Sequence, residues 1–269
     1  MNPDPLNSRQ QAIIDLLREE GDVSVTVLSQ RFAMTPKTIR RDLDYLEKQG
    51  CLTRTHGGAL FTEQAKIQFA FSEKQEQQFA EKSAIARAAA TLVQPGMSVV
   101  LDTGTTTLEV ARAIAGIPRI RVVTSSLAIA AALFGRDNID LVLLGGNVRK
   151  NSPDLTGPLT VDNLEKISLQ LAIVGADALD RKGLSTSELF VASVTKAVMA
   201  TAERTVLVAD SSKFQRKAFV RFADWKRIDT VITDDRLSTE WRRWLKKAVG
   251  NIVFAPVTSE EMKHHVSRD

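Results

Sequence analysis

Over the first sixty residues the apolar positions recur at helical intervals, and the residues between them interrupt that rhythm in a fixed order. From Ser8 to Glu20, Ile13, Leu16 and Leu17 fall on one helical face, and Gly21 stops the run. Val23-Ser24-Val25 alternates like a short strand, and Val27, Leu28 and Phe32 belong to a second helix. Met34-Thr35 leaves a tight turn, after which Thr35 can cap a third helix with its hydroxyl. Pro36 suits that helix's first turn, where a missing N–H costs nothing. Ile39, Leu43 and Leu46 then form a narrow apolar stripe ending at Gly50, a left-handed cap. Cys51 to His56 reads as a strand, Gly57-Gly58 as a hairpin turn, and Ala59-Leu60-Phe61 as the returning strand. Helix, helix, turn, helix, hairpin is the order of a winged helix-turn-helix.

The polar side of the third helix carries the chemistry. At ~100° per residue, Lys37, Arg41 and Lys48 lie opposite the apolar stripe, flanked by Thr38 and Arg40. One face can seal a small core while the other offers cations and a hydroxyl to a major groove. Thr35, Lys37, Thr38, Arg40 and Arg41 are therefore candidate DNA-binding residues. Arg54 and His56 join them on the wing, near the DNA backbone.

From Lys82 onward the pattern changes to short continuous apolar runs alternating with helical stretches. The runs are Ser98–Leu101, Arg121–Thr124, Leu141–Leu144, Leu171–Val174, Val206–Ala209, Thr230–Thr233 and Ile252–Phe254. Helical stretches such as Thr106–Ala115, Leu127–Phe134, Ser187–Ala202 and Leu237–Val249 separate them. Strands without alternation are buried on both faces, which predicts a mostly parallel sheet wrapped by helices. Three segments follow: residues 1–61 as the winged helix-turn-helix, 62–81 as a helical linker, and 82–269 as an α/β domain. The linker is rich in Gln, Glu, Lys and Phe without Gly or Pro, and Phe69, Phe71 and Phe79 could anchor it to either domain or to a second subunit.

Ligands of such sheets bind beyond the carboxyl ends of the strands, and the polar residues of this half cluster there. Asp102-Thr-Gly-Thr-Thr-Thr107 leads from the first strand into a helix; Gly104 permits close backbone approach, and hydroxyls with helix N–H groups make an anion cradle. Later strands end in Ser125-Ser126, Gly145-Gly146 with Arg149 beyond, and Gly175-Ala-Asp177, while Ser187-Glu188 opens a helix and Asp210-Ser-Ser-Lys213 follows another strand. Hydroxyls and amides suit phosphate, carboxylates suit sugar hydroxyls, and Lys213 suits either. The array predicts a site for a polyhydroxylated, phosphorylated molecule.

Composition narrows the class without deciding it. The 269 residues are 43% hydrophobic and 25% charged, as in soluble globular proteins. The formal charge of +4 is no nucleic-acid signature, because residues 1–60 hold eight Lys/Arg against eight Asp/Glu and the excess, 28 against 24, lies beyond them. Local placement of Lys37, Arg40, Arg41 and Arg54 carries the argument instead. Cys51 is the single cysteine, so intrachain disulfides and cysteine clusters are excluded, and packing in the small core is its expected place. His264-His265 sits in a polar tail without partners at ligand spacing, so neither a metal site nor a cofactor is expected. No charged-then-apolar leader and no apolar run near the ~20 residues of a membrane span is present, which predicts a cytoplasmic protein without membrane contact.

These features together resemble the DeoR family of bacterial transcriptional repressors over essentially the whole chain. The resemblance rests on Thr38-Ile-Arg-Arg-Asp-Leu43, Arg54-Thr-His-Gly-Gly-Ala59, Asp102-Thr-Gly-Thr-Thr106, Gly145-Gly146 and Ala209-Asp-Ser-Ser-Lys-Phe214. It implies repression of a sugar or nucleoside operon, release of DNA on binding a phosphorylated sugar, and a C-terminal domain similar to sugar-phosphate isomerases. It also implies that Lys37, Thr38, Arg40 and Arg41 contact operator DNA and that Asp102, Gly104, Thr105 and Thr106 form a phosphate loop. Asp177, Glu188 and Lys213 would surround the sugar, with Ser125 and Gly146 at neighbouring strand ends. A dimer or larger homo-oligomer would place recognition helices in successive major grooves.

The chain departs from the family at Ser125, where Asn is usual, and at Ala178, where Gly usually follows Asp177. Met34-Thr35 replaces the usual Val-Ser and keeps its apolar and capping roles. The reading from another class is a sugar-phosphate isomerase with an accessory DNA-binding domain. Related isomerases pair a catalytic Glu with a following Lys, whereas Glu188 is followed by Leu189, so the expectation is a regulator and no enzyme.

Overall fold

The computed structural model describes residues 6–61, 71, 73–150 and 152–258. The chain forms two compact units, the second beginning at Gln77. Residues 62–70 and 72 of the expected linker, Phe69 among them, and the His264-His265 tail lie outside the described residues.

The first unit contains α1 (Ser8–Glu20), β1 (Asp22–Ser24), α2 (Val25–Arg31), α3 (Pro36–Lys48), β2 (Thr53–Arg54) and β3 (Gly58–Leu60). Each helix boundary has a chemical cause. Asn7 caps α1 in a capping box with Gln10, Ser24 caps α2, and Gly21 takes a φ of 82° as its N–H donates to Leu17 O. Ile13, Ile14, Leu17, Leu28, Ile39, Leu43 and Leu46 are each 0% exposed and form one core. Cys51 packs at its edge, and burial pushes its thiol up. The wing is a three-stranded antiparallel sheet, β1-β3-β2. The expected strand from Cys51 to His56 contracts to Thr53–Arg54, which pair with Leu60 and Ala59 of the three-residue β3.

The second unit contains α4 (Phe79–Ala90), β4 (Ser98–Leu101), α5 (Thr105–Ile114), β5 (Ile120–Thr124), α6 (Leu127–Leu133), β6 (Ile139–Leu143), β7 (Asn147–Val148) and β8 (Leu155–Thr156). After them come α7 (Pro158–Leu164), β9 (Leu169–Val174), β10 (Ala178–Asp180), β11 (Gly183–Thr186), α8 (Leu189–Ala200), β12 (Ala202–Val208), β13 (Val220–Ala223), β14 (Thr230–Asp234), α9 (Thr239–Ala248) and β15 (Asn251–Ala255). All seven expected strands pair in parallel as one sheet of order β15-β14-β12-β9-β4-β5-β6. Val99, Val100, Leu171, Ala172, Val231 and Ile232 are fully buried, as continuous apolar runs require.

The strand order reverses beside β4. β4, β5 and β6 advance one way, and β9, β12, β14 and β15 then advance the other way from β4. Connections leaving β4 and β9 therefore part to opposite faces and open a crevice at their carboxyl ends. Asp102 and Gly175–Asp177 stand at that crevice, and Asp102 N donates to Ile173 O across it. Two smaller sheets, β10-β11-β13 and β7-β8, were not visible as alternating runs. An aromatic cluster of Phe214, Trp225, Trp241 and Trp244, with ring centroids 5.2–6.5 Å apart, belongs to the apolar core on the β12–β15 side.

The wing turn makes a direct steric prediction. A Cβ on Gly58 would lie 2.1 Å from Val23 O, whereas one on Gly57 meets nothing within 4 Å. Gly58→Ala should destabilise the first unit by ~1–3 kcal/mol in urea unfolding, while Gly57→Ala stays within about 0.5 kcal/mol. Equal effects at the two positions would contradict the close approach of β3 to β1.

Candidate functional site

In the first unit the polar face forms as the helix spacing demands. Thr35 Oγ1 accepts from Thr38 N at 3.3 Å and lies 3.0 Å from Thr38 Oγ1, with Pro36 in the first turn of α3. With Ile39, Leu43 and Leu46 buried, Lys37, Arg40 and Arg41 are exposed and Thr38 is half-buried. Asp42 on the inner side is held by Arg9, whose Nε and Nη2 donate at 2.7 and 3.1 Å, and by Gln10 Nε2 at 3.3 Å. That fork ties α1 to α3 and fixes which face of α3 looks outward.

The two wing residues differ. His56 is exposed at the turn. Arg54, expected at the DNA backbone, instead turns its guanidinium onto α3: Nη1 donates to Asp44 Oδ1 and, at 3.2 Å, to Arg40 O. Its Nε donates to Gly58 O at 3.3 Å, and its backbone N donates to Glu47 Oε1 at 2.8 Å.

In the second unit the strand-end residues form a linked set. Asp102 is 4% exposed; its Oδ2 accepts from Thr195 Oγ1 at 2.9 Å, and its Oδ1 has no hydrogen-bond partner among the described residues. Burial pushes its carboxyl up to about 7, against hydrogen bonds from the Thr103 amide and Thr195 hydroxyl, while nearby Asp154 and Asp177 push the same way as burial. Gly104, at a φ of 134°, precedes α5 without a side-chain cap, so the first-turn amides at Thr105 and Thr106 are open to a ligand. Ser125 is 2% exposed, and its Oγ also lacks a partner among the described residues.

Arg149 bridges two acidic groups. Its Nη1 donates to Asp154 at 2.8 Å and its Nη2 to Glu188 at 2.6 Å, while Asp154 Oδ1 and Arg149 Nε are buried without partners among the described residues. Burial opposes the guanidinium charge, but Glu188 and Asp154 outweigh it and raise its pKa. Asp177 Oδ2 accepts from Thr186 Oγ1, Ser187 N and Ser187 Oγ at 2.8–2.9 Å, fixing the turn that leads to Glu188. Lys213 is half-buried on a short 3-10 turn after Asp210, whose Oδ2 is buried and lacks a partner among the described residues. Lys82, only 3% exposed on α4, faces the same pair: burial brings its amine down to about 8, Asp210 acting against and Lys213 with that shift.

Gly146 differs from its neighbours. A Cβ there would lie 2.1 Å from Thr160 Oγ1 and 2.9 Å from Thr156 O, so close packing accounts for its glycine. A surface recess of about 420 Å³ opens at the amino ends of β4, β5 and β6, where exposed Arg121 and Asp140 pair at 2.6 Å. The buried acceptors in want of donors lie at the other end of the sheet and mark the candidate site better than that hollow. Thr195 and Lys82 escaped sequence reasoning because they join the site through contacts far along the chain, and Asp154 because nothing in its spacing singles out Arg149 as its partner. Among the described residues no group of three His, Cys, Asp or Glu is placed to hold a metal ion, and no helix is long and apolar enough to cross a membrane.

Residues 9–65 match the family model of the DeoR-like helix-turn-helix domain, and residues 77–235 match that of the DeoR C terminal sensor domain. The HTH-type transcriptional regulator GlpR of Haloferax volcanii is 35% identical over 91% of this chain and 96% of its own length. The glycerol-3-phosphate regulon repressor of Escherichia coli K12 is 31% identical over 84% and 90%. The lactose phosphotransferase system repressor of Lactococcus lactis is 32% identical over 86% and 92%. Among solved structures, ribose 5-phosphate isomerase A of Methanocaldococcus jannaschii aligns at 21% identity and a TM-score of 0.37, over 51% of this chain and 54% of that one.

The raised carboxyl of Asp102 has a measurable sign. Its folded-state value of about 7 exceeds the ordinary 3.8, so its contribution to stability is complete below the ordinary value and is lost as pH rises to about 7. Asp102→Asn should therefore gain stability relative to the natural chain as pH rises from about 4 to about 7, measured by unfolding at each pH. A difference that does not change with pH would mean that Asp102 is not desolvated in the folded chain.

Proposed function

The chain belongs to the DeoR family, and on that premise we propose that it is a DNA-binding transcriptional repressor of a carbohydrate-utilisation operon, released from its operator by a phosphorylated sugar. The observation that carries this reading is the pairing, in one chain, of an exposed cationic recognition helix with a strand-end site rich in buried acceptors in want of donors. Relatives whose names carry glycerol-3-phosphate and a lactose phosphotransferase system support a phosphorylated carbohydrate as the class of effector. The chain is a regulator and not an enzyme: it shares its family with named repressors, and Glu188 is engaged by Arg149 and followed by Leu189.

Lys37, Thr38, Arg40 and Arg41 reach the major groove from α3, with Thr35 fixing the helix start and His56 facing the backbone from the wing. Gly104, Thr105 and Thr106 take the phosphate at the amino end of α5, with Lys213 as its cation. Asp102, Ser125, Asp177 and Glu188 accept from sugar hydroxyls, and Gly146 lets the neighbouring backbone close on α7. The protein works in the cytoplasm as a dimer or larger oligomer on repeated half-sites. A coupling of ~1–3 kcal/mol between the two sites, or about 5–150-fold in affinity, suffices for release.

The test is binding to DNA upstream of the chain's own and neighbouring genes, with and without a panel of sugar phosphates. One compound should weaken a specific complex. Arg41→Ala should lower operator affinity at least about tenfold and leave effector binding unchanged. Asp102→Asn should keep operator affinity within about twofold and lose the response to effector. Turnover of a sugar phosphate by the purified protein, with no specific DNA complex, would overturn the reading.

A further inference from the structure

The exposed face of α3 is not uniformly cationic. Going round the helix at ~100° per residue, Asp44 falls between Arg40 on one side and Lys37, Lys48 and Arg41 on the other. All five side chains are exposed, so a carboxylate stands in the middle of the surface that meets DNA. Beside phosphates an uncompensated carboxylate is repelled, and like-charge juxtaposition is costly in any interface. Among the described residues Asp44 has one ion-pair partner, and that partner comes from the wing: Arg54.

Arg54 is unlike a side chain waiting for a phosphate. Its side chain is 20% exposed against 59% for Asp44. Besides Asp44, its guanidinium donates to Arg40 O at 3.2 Å and Gly58 O at 3.3 Å, which sets it between α3 and the wing strand β3. Its backbone N is held by Glu47 Oε1 at 2.8 Å. We propose that Arg54 is a positioning residue that masks Asp44: it supports DNA binding by neutralising the carboxylate on the recognition face and holding the wing to α3, and it does not itself contact phosphate. This rests on the DNA-binding reading above and assigns the backbone contacts of the wing to His56 and the turn.

Masking and phosphate contact make different predictions for a pair of substitutions. Arg54→Gln removes the charge while keeping an amide donor in place of Nε for Gly58 O, and Asp44→Asn removes the carboxylate that needs masking. A DNA duplex selected by the natural chain from a random pool serves as probe, and affinities of the natural chain, both single variants and the double variant are measured at one salt concentration. Arg54→Gln should weaken binding about tenfold when Asp44 is present and less than about threefold when Asn stands there, with the thermal midpoint of the first unit preserved. If Arg54→Gln fails to fold, Arg54→Met, which keeps the apolar stem, replaces it in the same cycle. Loss by the same factor in both backgrounds would show that Arg54 binds DNA itself and would overturn the proposal, as would no loss in either. A natural chain that selects no sequence at all would instead remove the DNA-binding reading, and the proposal with it.

Discussion

A parallel sheet buried on both faces leaves its strands nowhere to put polar groups except their ends. In β4, β9 and β14 all but one side chain is buried, as are Thr205–Val208 of β12, so chemistry is expelled to the loops beyond them. The reversal of strand order beside β4 then decides where those loops leave room, because the chain after β4 and the chain after β9 part to opposite faces. Asp102, the first-turn amides of α5 and the Gly175–Asp177 turn meet there by topology, and Thr195 reaches Asp102 from a residue 93 positions away. Close packing continues into the glycines: Gly146 exists so that Thr160 and Thr156 can approach. The site is thus a consequence of the core, and its acceptors are buried because the sheet beneath them is.

The first unit solves a smaller version of the same problem. Its core is mostly leucines and isoleucines, joined by Val23, Val25, Ala59 and Phe61, and this packing is non-directional. Directional polar contacts supplement it. The Arg9 fork on Asp42 sets the rotation of α3 about its axis, and the Arg54 contacts set the wing against that helix. Asp42 is nearly buried while Arg9 keeps a third of its side chain in water, so removing either partner would cost less than the ~3–5 kcal/mol of a fully buried pair.

The elements that periodicity governs were legible in the sequence. All seven sheet strands, α1, α3 and the Gly21 stop follow from runs, stripes and caps, and their ends shift by a few residues at most. Strands β7, β8, β10, β11 and β13 were not legible, because their two to four residues mix small, polar and charged types in neither a continuous apolar run nor a regular alternation. Within the candidate site, the strand-end residues announce themselves by type: Asp102, Gly104, Ser125, Asp177 and Lys213 follow apolar runs. What they touch does not. Asp154 and Lys82 look like ordinary loop and helix residues until Arg149 and Asp210 are placed beside them. Arg54 was legible as a wing cation, but its partner Asp44 could be found only once β2 was seen lying along α3.

Two carboxylates show how environment assigns opposite fates to one chemical group. Asp102 sits where water is excluded and other carboxylates are near; its proton is held to about pH 7, and one oxygen is left without a donor among the described residues. Asp44 sits in water, where charge is cheap, yet on a surface whose use demands the opposite sign; there the chain supplies an arginine. In the first case the missing partner is what a polyhydroxylated ligand can bring, since donors are what the buried oxygens lack. In the second, bringing a partner from outside would defeat the function, because the outside partner is itself an anion. A carboxylate left incomplete in the core and a carboxylate completed at the surface are therefore the same electrostatic rule applied to the proposed effector site and to the proposed DNA-facing surface.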